Sequence, residues 1–234
     1  MKEQIENVDW TKHRLPHRDV GVVPVHIVYR LYGSVPKVEL EKLLEERKQL
    51  FGSRGLVRPV ASGQDNQGKS TGRDVRSRSE WTEEKFEDLL HNRSNGPYHL
   101  ANPQIAKLVL ESWHWITEKY SLYLYAICVM SNHVHVLLSA KGEETVSIGA
   151  VMKAHKNFTA IAANKLLGQT ETSFWAAGYF DRDLRKNQFI TLMWYILNNP
   201  VNAKQVKHWE EWPFTYLNPD YDPFFRTTPD VLSG

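Results

Sequence analysis

Apolar and polar residues alternate in two rhythms along this chain, one suited to strands and one to helices. Residues 20–31 (VGVVPVHIVYRL) predict a β-strand entered through Pro24, and Gly33-Ser34-Val35-Pro36 stops it. Residues 37–50 place Val38, Leu40, Leu43 and Leu44 at helical spacing among charges. A second helix opens at Trp81-Thr82 and runs to about Leu90. A third covers 102–119, with Asn102 as N-cap and Pro103 in the first helical position. Leu122–Met130 is a nearly continuous apolar run suited to an interior strand. Ser131-Asn132 is short enough for a hairpin turn, and His133–Ser139 is the return strand. A helix from about Thr145 to Leu167 follows, then a partly extended stretch over Phe174–Leu184. The last predicted helix runs Gln188–Asn199 and ends at Pro200.

The resulting order, β-α-(insert)-α-β-β-α-β-α, predicts an α+β fold with helices packed on an antiparallel sheet. Residues 52–80 are rich in Gly, Ser, Arg, Gln and Asp and cannot bury enough apolar surface to offset their ordering entropy. The expected organisation is a loose segment over 1–19, a single domain over 20–217 with a flexible insertion at 52–80, and a tail over 218–234. At 234 residues and 41% hydrophobic content the chain can build a real core. Its net charge of +2 is too small to announce a nucleic-acid binder, so any basic surface must be local. The single cysteine, Cys128, lies in an apolar strand and reads as a small core residue. Neither a signal peptide nor a membrane span is legible, which predicts a cytoplasmic protein.

The most telling tetrad is Asn132-His133-Val134-His135. Two histidines one residue apart on a strand point to the same face, and imidazole is a common metal ligand. His133, His135, Leu137 and Ser139 form one face, expected to meet something polar; Val134, Val136 and Leu138 form the core face. A structural pair hydrogen-bonded in a helix–sheet interface is the plainer alternative. However, two imidazoles on one buried face bring four polar nitrogens that need partners. On the last helix, Tyr195 falls in a stripe with Asn187, Gln188, Thr191, Asn198 and Asn199, opposite Phe189, Ile190, Met193, Trp194, Ile196 and Leu197. Asn199, one turn on, could add a carbonyl oxygen to a His-His-Asn metal site. A tyrosine beside a metal site suggests attack on a polarised phosphate, since a phosphotyrosine ester can be reversed.

Arg182, Arg185, Lys153 and Lys156 flank these residues and are candidate phosphate contacts. Gly63–Ser70 (GQDNQGKS) matches a phosphate-binding loop letter for letter, but no buried strand precedes it and no helical pattern follows. It reads as coincidence, and a nucleotide hydrolase is the lesser alternative.

HRLPH with VHIVYRLYGSVP, then YAICVMSNHVHVLL, MKAHKNFTAIAANKLLG, FWAAGYFDRDLRK and YILNNPVNA stand in one order along the chain. Together they resemble the HUH single-tyrosine transposases, in particular the REP-associated branch, over most of the chain outside residues 42–100. The resemblance implies a ferredoxin-like HUH endonuclease fold, His133 and His135 as metal ligands with Asn199 third, and Tyr195 as nucleophile. It also implies a magnesium or manganese ion, single-stranded or hairpin DNA as substrate, a 5′-phosphotyrosine intermediate, and a monomer or homodimer. A domesticated DNA-binding protein that no longer cuts is the alternative within the same fold. Where the family commonly has glycine after Ala203, this chain has Lys204, so the end of the tyrosine region is expected to be set differently.

Overall fold

The computed structural model describes residues 19–51, 85–91, 96–170, 172–184 and 187–226. The insertion at 52–80, the loop at 63–70, Arg185 and most of the expected terminal segments lie outside them. The chain forms two compact units, Met1–Pro16 with Gly33–Gly96, and His17–Tyr32 with Pro97–Gly234. In the first, α1 (Lys37–Phe51) and α2 (residues 85–91) are helical as expected. They are joined by a 2.8 Å ion pair between Lys85 and Glu46.

The second unit carries β1 (Asp19–Val20), β2 (Val25–Arg30), α3 (Pro103–Lys119), β3 (Leu122–Val129), β4 (His133–Ala140), β5 (Val146–Ser147), α4 (Ile148–Leu166), β6 (Phe180–Asp183), α5 (Phe189–Leu197), α6 (Asn199–Asn202), β7 (Thr215–Leu217) and α7 (Asp222–Phe225). Its main sheet is antiparallel in the order β6-β2-β4-β3-β7. Without β7 this is a β-α-β-β-α-β unit of strand order 4-1-3-2, the ferredoxin-like arrangement the resemblance implied. Asn102 caps α3, its side-chain oxygen accepting the Gln104 amide at 2.9 Å, a contact worth about 1 kcal/mol.

Register assigns every side chain to a layer. Val25, Ile27 and Tyr29 of β2 share a face with Val134, Val136 and Leu138 of β4. Against this face pack Ile105, Val109, Trp113 and Ile116 of α3, with Ile148, Val151 and Met152 of α4. The opposite face is a second core, in which Ala126, Cys128 and Leu137 meet Leu192, Met193, Ile196 and Leu197 of α5. Trp209, Leu217 and Phe225 from the C-terminal segment close it. Cys128 is the small core residue expected. Among the described residues no helix is long and apolar enough to cross a membrane.

Three boundaries moved. The strand expected over 20–31 breaks at Gly21–Pro24 into β1 and β2, because Pro24 has no N–H for a ladder. The helix expected from Thr145 starts at Ile148: β5 pairs with β1 first, and Ser147 then caps α4 through the Ala150 amide. The helix expected to run Gln188–Asn199 stops at Leu197. Pro200 opens α6 instead of ending α5, since its missing N–H is unneeded in a first turn.

Candidate active site on the histidine face of the sheet

β4 is the middle strand, paired on both sides, so its histidines are held as rigidly as the fold allows. His133 lies opposite Arg30, and His135 lies between Val28 of β2 and Cys128 of β3. Both imidazoles are fully buried. Their rings stand edge to face, with centroids 4.9 Å apart. A ring nitrogen of each lies within 4.8 Å of the other's, a spacing one divalent cation can bridge.

The hydrogen bonding shows that His133 suits such an ion. Its Nδ1 lies 2.7 Å from the side-chain oxygen of Asn132, and an amide oxygen can only accept. Nδ1 therefore carries a hydrogen, which makes Nε2 the ring's candidate ligand atom.

α5 brings the tyrosine. Four buried apolar side chains, each worth about 1.5–3 kcal/mol, seat the helix on the sheet and fix its rotation. Tyr195 then stands edge-on to His135 with ring centroids 5.7 Å apart, and to His26 at 6.3 Å. The expected polar stripe needs correction. Tyr195 packs on the second core beside the histidines, whereas Ile190, assigned to the buried stripe, is 51% exposed. α5 and the C-terminal segment cover the Leu137 part of the histidine face with apolar side chains, while His26, Arg30 and Arg182 put polar groups on the rest of it. Asn199 is fully buried but sits in α6, a separate helix from Tyr195.

Sequence reasoning missed His26. It is completely buried on β2, opposite Leu137 and therefore on the His135 face. Its Nε2 lies 3.1 Å from His135 Nδ1. Arg30, opposite His133, was also overlooked; it places a guanidinium-bearing residue at the partly exposed end of the same face. The available signal was strand alternation in VHIVYR, which sets His26, Val28 and Arg30 together.

Of the basic candidates, Arg182 pairs in register with His26 and so shares the histidine face. Lys153 is exposed on α4. Lys156 is engaged inside the protein: its ammonium donates to the carbonyls of Ala176, at 3.0 Å, and Gly178. It also lies 5.7 Å from the centre of the Tyr29 ring.

A family model described as "Transposase IS200 like" matches residues 94–199, a span that includes β3, β4, α4, β6 and α5 and ends on Asn199. Among solved structures, one described as "Structure of the REP associates tyrosine transposase bound to a REP hairpin" aligns at 10% identity. The alignment covers 86% of this chain and 81% of that chain, with a TM-score of 0.46. No curated relative matches the sequence.

Proposed function

From the match of residues 94–199 to an IS200-like transposase family model, we propose that this chain is a metal-dependent DNA endonuclease and strand transferase. It cuts single-stranded or hairpin DNA through a 5′-phosphotyrosine on Tyr195. The observation that carries this reading is the Tyr195 ring 5.7 Å from His135, with His133 on the same buried face of one sheet.

His133 and His135 would hold the cation through Nε2, and the Asn199 side-chain oxygen would be the third ligand. Magnesium or manganese, when bound, polarises a non-bridging phosphate oxygen. Tyr195 Oη attacks phosphorus, the bond from phosphorus to the 3′-oxygen breaks, and that oxygen leaves with a proton from solvent while the phenolic proton is lost. One phosphate ester replaces another, so a 3′-hydroxyl can later attack the phosphotyrosine and rejoin the strand. Arg182, Arg185 and Lys153 hold backbone phosphates, and Lys156 keeps its ammonium on the Ala176 and Gly178 carbonyls. Nucleophile and histidine pair meet within one chain, so a monomer suffices. The enzyme acts on DNA in the cytoplasm.

Tyr195→Phe and His133→Ala test this, using 3′-labelled hairpin oligonucleotides from the flanks of its own gene. Wild type with magnesium or manganese should yield a labelled protein band that survives denaturant and disappears with protease. Both variants should fold yet form neither band nor cut strand. Cleavage by Tyr195→Phe, or an adduct mapped to Tyr179 or Tyr216, would overturn the mechanism.

A further inference from the structure

We infer that His26 is a positioning residue: it fixes His135 in the tautomer and ring orientation that leave Nε2 for a divalent cation. The inference rests on the metal reading above and adds a residue to it. His26 and His135 lie on neighbouring strands, diagonal to each other on one face. Their planes differ by only 10° and their centroids are 5.4 Å apart, while His26 Nε2 and His135 Nδ1 are 3.1 Å apart. The centroid separation exceeds the nitrogen contact by about two ring radii, so the rings meet edge to edge nearly in one plane. That is the geometry of a nitrogen-to-nitrogen hydrogen bond.

Such a bond carries one hydrogen, and its direction decides what His135 can do. If His26 donated, His135 would carry its own hydrogen on Nε2 and could not ligate there. If His135 Nδ1 donates, Nε2 keeps its lone pair, and His26 takes the tautomer with its hydrogen on Nδ1. The second arrangement makes His135 match His133, whose Nδ1 is already committed to Asn132 at 2.7 Å. Each candidate ligand then has an acceptor behind it, one an amide oxygen and one an imidazole nitrogen. Hydrogen bonds of this kind behind a ligating imidazole fix its tautomer and orient its ring. Both partners of the His26–His135 contact are completely buried, so no bulk water competes for the bond.

The test uses the whole chain with manganese alone, without DNA. His26→Leu should bind Mn2+ about 10- to 100-fold more weakly than wild type, the usual cost of losing such a partner. His26→Gln, whose Oε1 can take the place of Nε2, should recover most of the affinity. Electron paramagnetic resonance of free Mn2+ measures both, and near-UV circular dichroism checks folding. Nitrogen-15 NMR of the metal-free protein gives an independent readout. In wild type His135 should carry its hydrogen on Nδ1, and in His26→Leu that preference should be lost while His133 keeps its tautomer. A folded His26→Leu protein with unchanged Mn2+ affinity, or a wild-type His135 protonated on Nε2, would overturn the role given to His26. A wild type that shows no saturable Mn2+ binding would instead overturn the metal reading, and the NMR comparison would still decide the hydrogen bond.

Discussion

Removing one oxygen from the other face of β2 should cost the protein a large part of its stability. Tyr29 is 2% exposed, and its hydroxyl sits between Trp113 Nε1 at 2.8 Å and His155 Nε2 at 2.6 Å. An indole N–H can only donate, so the Tyr29 oxygen accepts from Trp113 and its own proton goes to His155. Burial pushes the Tyr29 phenol well above its ordinary pKa, so that proton is always present. With Nε2 accepting, His155 Nδ1 must donate to Ser112 Oγ, 2.9 Å away. Three elements, β2, α3 and α4, are thus tied by a chain in which the Trp113, Tyr29 and His155 donors each have an acceptor. Tyr29→Phe keeps the ring but strands the Trp113 donor and the His155 acceptor in the core. At about 1–3 kcal/mol for each of the two buried groups left unpaired, the loss should be about 2–6 kcal/mol. Against a typical total of about 5–15 kcal/mol this is severe. Urea unfolding followed by tryptophan fluorescence and far-UV circular dichroism measures it as a shift of midpoint at constant slope. A loss under about 1 kcal/mol would refute the directional network.

The legible parts of this structure were those fixed by local pattern. The His133/His135 strand, the Asn102 cap and the α+β order follow from alternation and capping chemistry that a few neighbouring residues decide. His26 was not legible, because it and His135 are 109 residues apart and only the β2–β4 register joins them. A histidine in VHIVYR looks the same whether its face meets water or a second imidazole. The apolar cover over the Leu137 part of the histidine face was not legible for a related reason. It comes from α5 and from Trp209, Leu217 and Phe225, and no periodicity marks that C-terminal segment as part of the core.

Lys156 shows the limit for charges. Its sequence neighbours suggest a phosphate contact, yet the ammonium ends on carbonyls 20 and 22 residues away. Those carbonyls belong to Ala176 and Gly178 beside β6, and Gly178 turns there with φ 74°. A lysine's reach is set by which backbone oxygens come near it, and a turn distant in sequence decides that.

His155 should make stability depend on pH. Burial first, and the Lys156 charge second, lower its pKa from 6.5 to about 3 in the folded protein. As pH falls the unfolded chain binds this proton first, so the contribution is full above about 6.5 and is lost progressively down to about 3, at up to about 1.4 kcal/mol per pH unit. Between pH 7 and 5 wild type should lose about 2 kcal/mol from this group, and a folded His155→Gln variant should lose that much less. An identical loss in both, read from urea midpoints, would exclude His155 as the source. The last prediction concerns Lys204. It stands where the family commonly has glycine. Lys204 takes φ 56°, its amide donates to Val201 at 2.9 Å, and Gln205 donates to Pro200 at 2.8 Å. That pair of bonds is the helix-ending motif in which glycine is favoured. The lysine keeps glycine's backbone conformation against a cost of about 1–2 kcal/mol for an L-residue there. Lys204→Gly should therefore stabilise the protein, by about 0.5–1 kcal/mol after glycine's extra chain entropy is deducted. Lys204→Ala keeps the strained geometry and should gain nothing, while Lys204→Val, branched at Cβ, should lose stability. If Gly and Ala variants unfold at the same urea concentration, the left-handed turn at Lys204 carries no strain and the family's glycine has some other cause.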